Sequence, residues 1–100
     1  MTIHLINFIF DASVDMTEVD NTLSLARVAV ESIHGQDRVT LEMHATVDPP
    51  LRSCQIDTSL DLGRTLAVVF AGFVRREFGD DVVRVQRITT HLDHPTGGDQ

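Results

Sequence analysis

Apolar and polar positions follow two different periods along this chain, and each period predicts a type of element. Residues 2–11 are dense in β-branched and aromatic side chains and too few for a buried helix, which predicts a strand in the middle of a sheet. Residues 38–47 alternate apolar with polar side chains, which predicts a strand with one face on the core. Residues 48–50 contain two prolines that cannot donate to a β-ladder, so we expect a turn there. Residues 51–57 and 82–90 predict the third and fourth strands.

Two longer segments carry apolar residues at steps of three and four, which is the spacing of one helix face. The first is predicted to begin at an N-cap on Thr17 and to end at Gly35, a suitable residue for a left-handed C-cap. The second is predicted to follow a cap at Thr58 or Ser59 and to stop at Gly79. Both helices therefore present a broad apolar face to a core.

The order strand, helix, strand, strand, helix, strand within about 90 residues resembles the ferredoxin-like fold. This resemblance implies an α+β sandwich of the βαββαβ type, with a four-stranded antiparallel sheet and two helices on one face. Residues 1–90 are predicted to form a single α+β domain, and the polar residues 91–100 a flexible C-terminal tail. A competing interpretation keeps residues 51–57 as a loop, which leaves a three-stranded βαβαβ unit.

The charge balance narrows the classes of function. The formal net charge is −7 at pH 7, lysine is absent, and all 8 basic residues are arginine. A chain this acidic lacks the positive field that phosphate backbones require, so we expect no nucleic-acid partner. The apolar runs fall short of the ~20 residues that cross a bilayer, so we expect no membrane partner. Cys54 has no second cysteine to pair with, which suits the reducing cytoplasm, and its core-facing parity predicts a structural thiol.

The sheet face that carries no helix is the expected binding surface. Alternation assigns polar side chains to it from three strands: Thr40, Glu42 and His44, then Ser53 and Gln55, then Arg84 and Gln86. The first strand adds either His4, Ile6, Phe8 and Phe10 or Ile3, Leu5, Asn7 and Ile9, and its periodicity does not decide between the two sets. Either set puts apolar side chains at the centre of a polar rim, which is the pattern of a protein–protein interface.

The same residues contain no catalytic or cofactor motif, and we expect no bound metal or cofactor. Glu42 and His44, two apart on one predicted strand, suit an acid–base pair or two ligands of a metal, but no third partner completes either site. His91, Asp93 and His94 lie in the predicted tail, where no rigid geometry holds metal ligands in place. Enzymatic activity is therefore not the favoured interpretation.

Two hypotheses of function remain. The first is a small acidic, non-catalytic module that self-associates, or docks on another protein, through the helix-free sheet face. The second is a small-molecule sensor or enzyme of the dimeric α+β-barrel kind, in which two sheets enclose a pocket and His44, Asn7 or Arg84 orients the ligand. Both hypotheses predict an oligomer, and they differ in whether a cavity remains between the sheets.

Overall fold

The structure is a computed structural model and describes residues 2–91. Its elements are β1 (Thr2–Phe10), α1 (Met16–His34), α2 (Gln36–Glu42), β2 (Ala45–Asp48), β3 (Ser53–Asp57), α3 (Asp61–Phe78), a 3₁₀ turn (Asp80–Val82) and β4 (Val83–His91). The strands form a four-stranded sheet in the order β2-β3-β1-β4, with every neighbouring pair antiparallel. The described residues thus form an α+β fold, with three α-helices where two were predicted. The three-stranded alternative is wrong, because β3 pairs with both β1 and β2.

The hydrophobic core lies between one face of the sheet and the helices. β1 occupies a central position in the sheet, as its apolar sequence predicted. Phe8 and Phe10 are buried on the helical side, where Phe8 meets Phe70 of α3 edge-to-face with ring centroids 4.9 Å apart. Cys54 and Ile56 of β3 are buried in the same core, and the burial of Cys54 agrees with its predicted parity. Because neighbouring strand residues point to opposite faces, this placement also decides which β1 side chains face away from the helices.

The largest departure from the sequence prediction concerns residues 38–47, which were assigned to one long strand. Residues 36–42 form α2, and only Ala45–Asp48 remains as β2. Thr40 and Glu42 therefore lie on a helix and not on the sheet. Their predicted place on the helix-free sheet face is wrong.

The physical reason is that the apolar side chains of this segment satisfy both periods. Val39 and Met43 fall on one side of an alternating strand, but they are also four residues apart, and both are buried against the core. Leu41, which a strand would have buried with them, is 73 % exposed. Arg38 Nε donates to a Glu42 carboxylate oxygen at 3.0 Å, and this (i, i+4) ion pair supports the helix.

The two long helices also begin differently from their predicted caps. α1 has its N-cap at Asp15, whose carboxylate accepts the Thr17 N–H at 2.9 Å. α3 begins without a side-chain cap bond. Thr58 and Ser59 instead bind the backbone of β1, because the Thr58 hydroxyl donates to the His4 carbonyl and the His4 N–H donates to Ser59 Oγ, both at 3.1 Å. These bonds fix the connection between β3 and α3 against one end of β1.

Left-handed backbone marks three joints between elements. Gly35 and Gly79, both at φ 89°, follow α1 and α3, and their N–H groups close the last helical turns, so both predicted helix ends are confirmed. Their ψ angles of 150° and 167° differ from those of the left-handed helical cap that was predicted at Gly35. Arg52, at φ 53°, ends the connection between β2 and β3. Its guanidinium donates to the carbonyl of Asp11 at 2.7 Å and to the carbonyl of Val14. Arg52 thereby ties this turn to the loop between β1 and α1.

Candidate interaction surface

The sheet face turned away from the helices is lined at its centre by β1. Because Phe8 is buried on the helical side, its neighbours Asn7 and Ile9 face the other way, as do Ile3 and Leu5. All four of these side chains are half-buried. Of the two sets that the sequence left open, this is the set on the helix-free face.

The strand register arranges the helix-free face in level rows across the sheet. From β2 to β4, the first row is Asp48, Ser53, Ile9 and Arg84, the second is Thr46, Gln55, Asn7 and Gln86, and the third is Asp57, Leu5 and Ile88. Ile3 and Thr90 extend the face along β1 and β4. These residues are called the open face below. Leucine and isoleucine side chains lie in the rows on either side of the polar second row, mainly on β1 and β4.

Charge is divided between the two edges of the open face. Asp48 and Asp57 lie on β2 and β3, whereas Arg84 lies on β4 at the opposite edge. Asp48 Oδ1 accepts a backbone N–H of its own turn at 3.2 Å, and Asp57 Oδ1 accepts the Ser59 N–H at 2.8 Å. None of the three charged groups forms an ion pair with another described residue.

The side chain of Asn7 is distinctive because its amide oxygen is buried without a hydrogen bond. No donor among residues 2–91 reaches Oδ1, although the atom is shielded from solvent. A buried acceptor without a donor costs on the order of 1–3 kcal/mol. Asn7 lies in the second row, between Gln55 and Gln86, at the middle of the open face.

The predicted binding residues divide between the open face and α2. Ser53, Gln55, Arg84 and Gln86 lie on the open face, with Ser53 buried and the other three exposed. His44 precedes β2, and its carbonyl accepts the Asp57 N–H at 2.9 Å, so its exposed side chain continues the third row. Thr40 and Glu42 lie on α2 and are not part of the open face.

Five residues of the open face were missing from the sequence prediction, namely Thr46, Asp48, Asp57, Ile88 and Thr90. Thr46 and Ile88 share the parity of residues that were chosen, so extending the same alternation would have found them. Asp48 was assigned to the proline turn, and its place opposite Ser53 became visible only from the register of the hairpin.

The metal-binding and acid–base candidates of the sequence are not assembled. Glu42 pairs with Arg38 at the end of α2 and is not a strand neighbour of His44. Within residues 2–91, no three His, Cys, Asp or Glu side chains come together as a set of metal ligands. The other candidate cluster depends on Asp93 and His94, which lie outside the described residues.

Cys54 is expected to be unreactive while the protein is folded. Burial, followed by the nearby negative charge of Asp20, raises the pKa of the Cys54 thiol to about 12 from 9.0. At neutral pH Ellman's reagent should therefore react with Cys54 only after unfolding in urea. Because the unfolded thiol ionises first, the free energy of unfolding should fall as pH rises from 9.0 to about 12, by roughly 1.4 kcal/mol per pH unit. Rapid labelling of the native protein would contradict this.

Comparison with protein-family models and with curated proteins found no match to this chain. None of the helices in residues 2–91 combines the length and the apolar character that a membrane span requires.

Proposed function

We propose that this protein is an assembly module that forms a homodimer through its open face. The observation that carries the proposal is the group of half-buried apolar side chains on that face, Leu5, Ile9 and Ile88, which lie among polar side chains. Apolar groups surrounded by polar ones are typical of interface cores. The unbonded amide of Asn7 on the same face adds a polar group that gains from a partner when its side chain rotates.

A second copy of the chain suits the open face better than an unrelated surface, because the face is complementary to itself. Suppose that two copies pack face to face about a twofold axis parallel to the strands, between β1 and β3. β4 of one copy then lies over β2 of the other, so Arg84 meets Asp48 of the second copy in both directions. Sheets that pack in this way keep their strands within about 30° of each other.

The same axis improves the hydrogen bonding of the second row. It sets Gln55 of the second copy opposite Asn7. The Asn7 amide oxygen is shielded from solvent, so its side chain must rotate before an N–H of that glutamine can donate to it. Asp57 is the charged group that this arrangement sets opposite an apolar residue, Leu5. Its carboxylate already accepts the Ser59 N–H, which reduces the cost of that position.

The size of the open face bears on the strength of the dimer. The area of the open face, measured as a flat projection, is about 400 Å². This value follows from strands of nine residues in β1 and β4 and shorter strands in β2 and β3. A standard interface buries about 800 Å² of solvent-accessible surface on each partner, and this measure includes the uneven surface of the side chains. We therefore expect a reversible dimer that dissociates on dilution.

We further infer that the fold is a ferredoxin-like sandwich with one additional helix, α2. The sheet order β2-β3-β1-β4, with α1 after β1 and α3 after β3, supports this assignment. We place the protein in the cytoplasm, where the free thiol of Cys54 stays reduced. The alternative of a dimeric barrel sensor uses the same interface, but it requires an enclosed cavity between the two sheets.

Substitution of Leu5 by glutamate tests the proposed dimer. The wild-type protein should show a concentration-dependent monomer–dimer equilibrium by sedimentation velocity in the micromolar range. Leu5→Glu brings an unpaired charge into the middle of the interface, at a cost of about 3 kcal/mol or more, so dimerisation should weaken more than 100-fold. Leu41→Glu is the matched control, because Leu41 is an exposed leucine on α2 and its substitution should leave the dimer intact.

A charge exchange tests the orientation of the two copies. Arg84→Asp alone sets two acids opposite each other at each end of the interface and should weaken the dimer. Adding Asp48→Arg restores opposite charges and should recover most of the lost affinity. A wild-type protein that remains monomeric up to millimolar concentration would disprove the dimer. Failure of the double variant to recover would disprove only this orientation.

A further inference from the structure

A groove lies on the helical side of the sheet, between α3 and the strands β1 and β4. Its volume is about 400 Å³, within the range of small-molecule sites. Two apolar side chains at its rim, Val68 of α3 and Val85 of β4, are 74 % and 55 % exposed, so no element within residues 2–91 covers them. Leu5 and Ile88 of the open face also contribute to the lining of the groove, so the two proposals are separated by variants of Arg87 and Ala71, which do not belong to the open face.

The floor of the groove is apolar and extended. Ile6 and Phe8 of β1 and Ala67 and Ala71 of α3 line it. The small alanine side chains keep the space between helix and sheet open. The lining residues of α3 run along one stripe over about three helical turns, or ~16 Å. The groove therefore suits a narrow, elongated apolar body.

Three arginines line this groove, although the whole chain is strongly acidic. Arg64, Arg75 and Arg87 line it, out of 8 arginines in the protein, and no acidic residue lines it. Arg75 is paired with Asp80 at 3.3 Å, and Arg64 is paired with Asp61. Arg87 forms no ion pair within the part of the chain that the structure describes.

Two of these arginines belong to the same end of the groove. Arg64 Nη1 donates to the Thr58 carbonyl at 3.1 Å, and Thr58 is bound to the backbone of His4. Arg87 lies opposite Ile6 in the strand register, two residues from the pair that His4 forms with β4. A carboxylate at this end can therefore meet both guanidinium groups, whose planar donors suit carboxylate oxygens.

We infer that this groove binds a single-chain amphipathic carboxylate of medium length, such as a fatty acid. The carboxylate binds Arg87 and Arg64, and the acyl chain lies along Ile6, Phe8 and the alanines of α3 towards Val85. Charge complementarity and the elongated apolar floor determine this class of ligand. The volume of the groove favours a small molecule over the helix of a partner protein.

The test is an NMR titration of the full chain with laurate, kept below its micelle concentration. We expect saturable shifts at the backbone amides of Val68, Ala71 and Val85. Arg87→Gln should weaken binding at least fivefold, because it removes a guanidinium that forms no ion pair with another described residue. Ala71→Leu should weaken binding to a similar extent, because it fills the floor of the groove. Arg76→Gln is the matched control, since Arg76 is the neighbour of Arg75 on α3 but does not line this groove.

The class of ligand is tested with two further probes. Dodecyltrimethylammonium has a similar chain and the opposite charge, and it should bind at least tenfold more weakly than laurate. An acidic amphipathic peptide should not compete with laurate. Equal binding of the cationic probe, an unchanged affinity of Arg87→Gln, or shifts confined to the open face would each overturn the proposal. Binding of the peptide in place of laurate would overturn it in favour of a protein partner.

Discussion

Replacing Gly63 by alanine is expected to lower the free energy of unfolding by about 3 kcal/mol. Gly63 is buried in the first turns of α3, where the helix crosses the end of β3. A Cβ atom at this position would lie 1.9 Å from the carbonyl oxygen of Asp57 and 3.0 Å from its carbonyl carbon. Backbone atoms cannot move aside as the end of a flexible side chain can. The backbone of Asp57 is also fixed by a hydrogen bond, because its N–H donates to the His44 carbonyl at 2.9 Å. The whole of α3 must therefore shift to accept one methyl group.

Gly72 provides the matched control for this prediction. It lies in the same helix but is exposed, and a Cβ atom there would meet nothing within 4 Å. Gly72→Ala should therefore raise the free energy of unfolding by about 0.5–1 kcal/mol, because alanine costs less backbone entropy in a helix. Urea denaturation of the wild type and both variants gives the comparison. Equal effects of the two substitutions would show that α3 does not approach β3 as closely as described.

The sequence predicted most of the sheet because its strongest patterns there had one physical interpretation. The apolar run of β1 is too short for a helix and too apolar for an edge strand, so a central position was the remaining solution. The prolines Pro49 and Pro50 could only interrupt the ladder, which fixed the turn between β2 and β3. The core positions of β3 followed from their spacing relative to this turn.

The segment of α2 could not be predicted in the same way, because its apolar residues fit a strand and a helix equally well. Val39 and Met43 are compatible with both periods, and the difference lies in Leu41, whose exposure only the tertiary structure reveals. A helix of seven residues has little intrinsic stability, so its formation depends on packing against α1 and α3. Local sequence contains no information about that packing.

The open face was predictable in kind but not in its arrangement. Alternation identified Gln55, Arg84 and Gln86 from local sequence. The rows across the sheet depend on strand register, which sets Asn7 between two glutamines and Asp48 level with Arg84. The groove beside α3 also depends on how far the helix stands from β4. Those distances are properties of the packed core.

The core contact that sets the position of α3 is the pair of rings of Phe8 and Phe70, and its loss should have the second large effect. Phe70 is fully buried, and its ring meets that of Phe8 at 90°. Phe70→Ala should lower the free energy of unfolding by about 3–5 kcal/mol, because it removes buried apolar area and leaves a cavity. The total free energy of unfolding of a domain of this kind is about 5–15 kcal/mol, so the variant should unfold at a much lower temperature than the wild type.

A double-mutant cycle separates the ring–ring contact from the loss of volume. Phe8→Leu, Phe70→Leu and the double variant, compared by urea denaturation, should give a coupling energy of about 1 kcal/mol for the edge-to-face pair. Phe10 and Phe78 form the control pair, since their centroids are 6.2 Å apart and Phe78 is only half-buried. Their coupling should be smaller.

Because Phe8 alternates with Asn7 and Ile9 on β1, the same cycle also tests the strand parity on which the open face depends. A coupling near zero for Phe8 and Phe70 would mean that the two rings do not meet, and the assignment of the faces of β1 would lose its main support.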